Sequence, residues 1–151
     1  MGSPTDINQA IIETLYCEAL VLADEVRSAF DLMPKRAGDE DFVRIALSVE
    51  GLRTTTRMMH VLAWLLNHRA YFSGELSEFQ LRRHGVLPPD RPSDPEQLAL
   101  LEPETCALIA ETEAFHGRIS RLDAAWRDRF VVRPDAVHRL RERLGREFGG
   151  G

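Results

Sequence analysis

The residues whose types could do chemistry are five histidines, two cysteines and a short run of arginine and threonine. The histidines are His60, His68, His84, His116 and His138. A helical zinc pair needs two histidines four positions apart, and no two of these are so spaced. His60 and His68 stand eight apart on one predicted helix, too far to share an ion. His116-Gly117-Arg118 sets a small residue and a base beside a histidine, surroundings that suit a phosphotransfer histidine. Such a site also wants a lysine just after it, and Lys35 is the only lysine in the chain. Cys17 and Cys106 fall on different predicted helices and form no C-x-x-C. Both read as free, structural thiols of a size suited to a bundle core. There is no Gly-rich phosphate loop and no G-x-S-x-G turn, and nothing singles out a catalytic pair among the twenty-four acidic residues. The sequence supports no enzyme, no metal and no cofactor.

What remains is Arg53-Thr54-Thr55-Thr56-Arg57. Threonine costs about half a kcal/mol relative to alanine in a helix, so something other than helix propensity keeps three of them there. On a helical wheel Glu50, Arg53, Arg57, Val61, Trp64 and His68 share one face, and His60 lies near it. The plain reading is a solvated, salt-bridged face. The functional reading is an interaction surface, with arginines beside an exposed Trp64.

These residues need a long helix to carry them. Asp41 to Phe72 has no proline and a single glycine, Gly51, and predicts one helix roughly 48 Å long at 1.5 Å per residue. Its front stripe is Ile45, Val49, Leu52, Thr56, Met59, Ala63, Leu66 and Ala70, alternating gaps of four and three as a bundle core does. The opposite face is charged from Glu50 to Arg57 and apolar around Val61, Trp64 and Leu65. That apolar part is expected to be covered by a later segment or a second subunit.

Two other long helices show the same alternation. The first is predicted from an Asp6 cap to about Met33, with Ile12, Leu15, Ala19, Leu22, Val26, Ala29 and Met33 inward. Pro34 to Glu40 is then a short loop that returns the chain antiparallel. The third runs from about Glu104 to Arg129 through Thr105, Leu108, Thr112, Phe115, Ile119, Leu122 and Trp126, and contains Gly117. Between the second and third, Gly74 suits a C-cap, Ser77 to His84 a short helix ended by Gly85, and Val86 to Asp94 a proline-rich connector. Asp94-Pro95 is a helix-start signal, and Pro103 a break or the true start of the last long helix. Asp135 to Phe148 predicts a short amphipathic helix with Val137, Leu140, Leu144 and Phe148 on one side, followed by Gly149 to Gly151. The expected fold is all-α: an antiparallel three-helix up-down bundle over 1–130, with a short connecting helix, then a tail over 131–151 whose helix is short or flexible.

The bulk numbers agree with one domain. The chain has 151 residues, 44% apolar and 28% charged, with a formal net charge of −5 that argues against a nucleic-acid binder. The longest near-apolar run, Met58 to Leu66, is half of what a membrane span needs, and Met1 to Pro4 has no signal-peptide character. A cytoplasmic protein is expected.

The run LSVEGLRTTTRMMHVLAWLLNHRA from Leu47 resembles the core signature of the alphaproteobacterial regulator of CtrA degradation family, long catalogued as a domain of unknown function. Leu15-Tyr16-Cys17-Glu18-Ala19 with the following VLADEVRSAF, and Arg118-Ile119-Ser120-Arg121-Leu122-Asp123, also look like that family. Together they cover the three long helices, and the central motif is the specific one. The resemblance implies a small homodimeric three-helix bundle without catalytic activity. It implies an adaptor that helps bring the response regulator CtrA and other substrates to the ClpXP protease, with a receiver-domain protein and a cyclic-di-GMP effector, at a cell pole. The candidate partner-binding residues are Arg53, Arg57, His60, Val61, Trp64 and His68, and on the tail Leu140, Leu144 and Phe148. The alternative is a small-molecule-sensing or phosphotransfer bundle, which would need a polar cavity near Thr54 or Thr55 and Arg57.

Overall fold

The computed structural model describes residues 7–31, 41–129 and 134–149. These form six helices and no strand: α1 Gln9–Asp31, α2 Asp41–Phe72, α3 Glu78–His84, α4 Pro95–Leu98, α5 Pro103–Asp128 and α6 Pro134–Phe148. The expected Asp6 cap, the Pro34 to Glu40 loop, Met33 and the boundary at 130/131 lie outside the described residues. At the start of α1, the Asn8 side chain accepts from the Ile11 amide at 2.9 Å and supplies an N-cap. Ser77 caps α3 in a reciprocal capping box with Gln80, and Asp94 caps α4 with Pro95 at its first position. Gly74, at φ +83°, makes the left-handed turn after α2 that a side chain would strain.

The inward stripes of α1 and α5 follow the heptad spacing. Ile12, Leu15, Ala19, Leu22 and Val26 are buried on α1, and Thr105, Thr112, Phe115, Ile119 and Trp126 on α5. α2 packs the other way round. Its expected front stripe faces out, with Ile45 55%, Leu52 70%, Met59 64% and Leu66 47% exposed. Its buried residues are Ala46, Glu50, Gly51, Thr54, Arg57, Met58, Val61, Trp64, Leu65 and His68. The expected outer face is therefore the inner one. Both faces of α2 hold enough apolar residues to be core, so the polar ones decide a wheel-based reading. Here Glu50, Arg57 and His68 are buried with partners brought by distant parts of the chain.

The topology also departs from up-down-up. Glu13 pairs with Arg69, and Phe30 lies against Gly51, so α1 and α2 are antiparallel. A Cβ on Gly51 would meet the Phe30 ring at 3.0 Å, which makes this glycine the point of close approach. Arg57 meets Thr112, Trp64 meets Asp123 and His68 meets Trp126, so α2 and α5 run in the same direction. The reversal between them is made by residues 85–94. These lead the chain back along the α2–α5 seam, with Leu87 in the core, the Pro88 carbonyl on His116, Asp90 on Arg57, and the Asp94 amide on Glu50. Ten extended residues reach roughly 30 Å, enough to return most of the length of α2. α4 and Leu101 then close a second small core with Ala46 and Ile109.

Candidate functional site

The arginine–threonine run lies at the centre of a buried polar seam. The Arg57 side chain is 0% exposed. Its Nε donates to both Asp90 carboxylate oxygens at 2.8 and 2.9 Å, Nη1 to Thr112 Oγ1 at 2.9 Å and Nη2 to the Arg91 carbonyl at 3.1 Å. Two turns earlier Glu50, also fully buried, accepts from Arg53 Nη1 at 2.7 Å and from the Asp94 amide at 3.2 Å through one oxygen. Its other oxygen, Oε2, has no hydrogen-bond partner. Thr54 lies between these groups with its hydroxyl buried and likewise without a partner, whereas Thr55 and Thr56 are exposed. The seam fixes the connector against α2: four of its contacts on α2 come from residues 90–94. Asp90 was not legible as a partner, because the proline-rich connector carries no periodicity to place it.

A second cluster lies toward the end of α2. Trp64, 2% exposed, donates from Nε1 to Asp123 Oδ1 at 2.9 Å. Arg127 Nε meets both Asp123 oxygens at 3.2 and 3.1 Å. His68 stacks on Trp64 with ring centroids 3.7 Å apart and meets Trp126 edge-on at 5.4 Å. Its Nδ1 lies 3.0 Å from the Trp64 carbonyl, so Nδ1 carries the proton and the buried Nε2 has no partner. Burial, the largest influence, pushes the His68 pKa below its ordinary value, against the raising effects of the Trp64 carbonyl and Asp123.

The sequence-derived surface divides accordingly. Arg57, Val61, Trp64 and His68 are inside the fold of one chain, covered by the connector and α5, so Trp64 is a core residue and not an exposed anchor. Arg53 and His60 are half-buried. They line a groove of about 470 Å³ between α2 and the connector, together with Leu52, Thr56, Asp90 and Arg91. His116 is 5% exposed with Nε2 on the Pro88 carbonyl at 3.1 Å, which leaves no exposed histidine at His116-Gly117-Arg118. Cys106 is half-buried, its thiol 3.2 Å from the Leu98 carbonyl, but Cys17 is exposed and is not a core thiol. Among the described residues no three His, Cys, Asp or Glu side chains converge as a metal site. No described helix is long and apolar enough to cross a membrane.

Two exposed apolar edges stand out among the described residues. The outward stripe of α2 carries no charged residue between Arg44 and Arg69 and keeps the 4–3 alternation from Ile45 to Ala70. On α6, Leu140, Leu144 and Phe148 are 59%, 46% and 84% exposed, and neither core cluster includes any of residues 139–148. A protein-family model described as a protein of unknown function, DUF1465, matches residues 4–148. The chain belongs to the DUF1465 family. No curated protein and no solved structure matches it. In this DUF1465 chain the match runs through the connector and α6, which carry none of the quoted motifs, as well as the three long helices.

Proposed function

We infer that this protein is a non-enzymatic adaptor that works as a homodimer. It resembles the regulators of CtrA degradation, which help deliver CtrA and other substrates to the ClpXP protease with a receiver-domain protein and a cyclic-di-GMP effector at a cell pole. The observation that carries the interaction part is the bare stripe of α2. A soluble helix places apolar residues at heptad spacing in order to bury them, and these are 47–70% exposed at Ile45, Leu52, Met59 and Leu66. The stripe complements itself. In an antiparallel pairing centred on Thr54, Ile45 faces Ala63 of a second copy, Val49 faces Met59 and Leu52 faces Thr56, large residue mostly against small. Its lack of charge leaves no like-charge repulsion across the two-fold axis.

Light scattering tests the dimer. The wild-type chain is expected at twice its 17.1 kDa mass. Leu52→Glu with Met59→Glu is expected at the monomer mass with unchanged helical content, and an unchanged dimer mass in this variant defeats the assignment of the face. The adaptor role is tested by ClpXP degradation of CtrA with both auxiliary partners present. No acceleration on adding this chain removes that role.

The groove beside Arg53 favours a second reading, a small-molecule sensor. Its volume of about 470 Å³ suits a ligand, and Arg53, His60 and Arg91 would favour an anionic one. The cavity is reached by Thr56 and Arg57 and not by Thr54 or Thr55. A melting-temperature rise with an anionic metabolite, abolished by Thr56→Trp, would favour the sensor.

A further inference from the structure

The groove beside Arg53 and the bare stripe of α2 share residues. Val49, Leu52 and Thr56 belong to the stripe and also line the groove. Leu52 is 70% exposed and Thr56 is exposed, so the groove is open on the stripe side. Its opposite wall is the connector, which Arg57 and Glu50 hold through Asp90, the Arg91 carbonyl and the Asp94 amide. The charges inside do not cancel. Asp90 is paired with Arg57 and Glu50 with Arg53, so the Arg91 side chain is a base with no acid left to balance it among the residues that line the groove. His60 adds a hydrogen-bonding ring on the α2 side.

Symmetry sets what a second copy does to this groove. At about 100° per residue, Arg53 and His60 stand roughly a quarter turn from the middle of the stripe. A two-fold axis through an antiparallel seam at Thr54 is perpendicular to both helices, and it keeps that flank on one side of the pair. The α2 residues of the groove run from Val49 to His60 and straddle Thr54, so the two grooves open side by side at the same level. Leu52 and Thr56 of one copy are covered by Thr56 and Leu52 of the other. The second copy therefore supplies the wall that a single chain lacks. The stripe itself is uncharged, but the same pairing brings the two Arg53 positions to about one interhelical spacing, roughly 8–10 Å.

We propose that a small polyanion, carrying phosphate or carboxylate groups, binds in this groove and drives dimerisation through the α2 stripe. Two effects give the coupling its sign. Enclosure by the second copy removes water from the groove, which strengthens the pull of Arg53 and Arg91 on an anion. The anion in turn offsets the repulsion between the two Arg53 side chains across the axis. Because coupling between sites is reciprocal, the dimer binds the anion more tightly by the factor by which the anion favours the dimer. The inference rests on both the dimer and the sensor readings above and joins them: the anion is the signal and the dimer is the output.

The probes are pyrophosphate, citrate and ATP, each added at constant ionic strength. For the wild-type chain, at least one of them is expected to lower the dimer dissociation constant, read by sedimentation over a dilution series, by at least about fivefold. Arg91→Ala is expected to remove that effect. Ile45→Glu with Leu66→Glu breaks the stripe at two exposed positions that do not line the groove, and the resulting monomer is expected to bind the same probe at least about fivefold more weakly by calorimetry. Ile45→Lys with Leu66→Lys is expected to show the same loss, which separates the missing wall from an added charge. Each reading fails in its own way. A wild-type chain that is monomeric at every concentration removes the dimer and the coupling with it. Binding of no probe to either form removes the anion site. Equal probe affinity in wild type and both monomeric variants, or opposite shifts in the Glu and Lys variants, overturns the coupling while leaving dimer and site in place. Tighter binding by the monomers reverses its sign and makes anion and second copy competitors for Leu52 and Thr56.

Discussion

At the scale of residues, three buried groups govern how this protein responds to substitution and pH. Arg57 is a fully buried guanidinium with each of its three nitrogens hydrogen-bonded, and Asp90 supplies its counter-charge. Asp90→Ala leaves that charge uncompensated, and is expected to cost about 3 kcal/mol in chemical denaturation, the range for breaking a buried pair. Asp90 itself is 22% exposed, which places the loss at the low end of that range. Thr54 is the reverse case. Its hydroxyl is buried without a partner, so Thr54→Val, which keeps the shape and removes the polar group, is expected to raise stability by up to about 1 kcal/mol, read as a higher melting temperature. A lower melting temperature would mean that the hydroxyl is satisfied in solution. His68 has its pKa lowered by burial beside Trp64. The unfolded chain then binds a proton at a pH where the folded chain does not. Stability from this group is complete above the ordinary histidine value of about 6.5 and falls as the pH drops below it toward the folded value. Denaturation midpoints are expected to decline over that interval in wild type, and to decline less in His68→Gln.

At the scale of elements, periodicity located every long helix but chose the wrong face for one of them. α1 and α5 carry their polar residues mainly outside, so their stripes were legible. Even there, Asp123 on α5 escaped notice, although it lies one turn from both Ile119 and Trp126 on the buried side. α2 has two apolar faces. Sequence logic gives the one with Glu50, Arg57 and His68 to water, because burying a charge without a partner is costly. Arg57 has its partners, but they sit 33 residues away at Asp90 and 55 away at Thr112, and no local pattern announces them. The threonine run makes sense in that light: Thr54 is the small inward residue between two charged ones, while Thr55 and Thr56 face out at the middle of the bare stripe. Gly51 gives a test of the element packing. Its Cβ position is only 3.0 Å from the Phe30 ring, so Gly51→Val is expected to push α1 from α2 and lower stability by about 1–3 kcal/mol, as overpacking does. An unchanged denaturation midpoint would show that the two helices are not held at that contact.

At the scale of the whole molecule, the chain is an α1–α2 hairpin onto which a connector and a helix parallel to α2 are laid. None of residues 139–148 of α6 joins either core cluster, so removal of residues 139–151 is expected to preserve a single cooperative melting transition, checked by circular dichroism. Loss of cooperativity would make the tail part of the core. The parallel arrangement has a consequence for how the protein is born. The hairpin leaves the ribosome before the residues that complete its inner face have been made. At about 5–20 residues per second, the roughly fifty residues from the end of α2 to Asp123 take about 3–10 s to synthesise. Arg57 lacks its carboxylate until Asp90 is made, Trp64 lacks its acceptor throughout, and the part of α2 that the connector and α5 will cover is bare. The nascent hairpin is thus the stage at which this chain is most exposed to aggregation and most in need of a chaperone, and it ends only when α5 follows the connector.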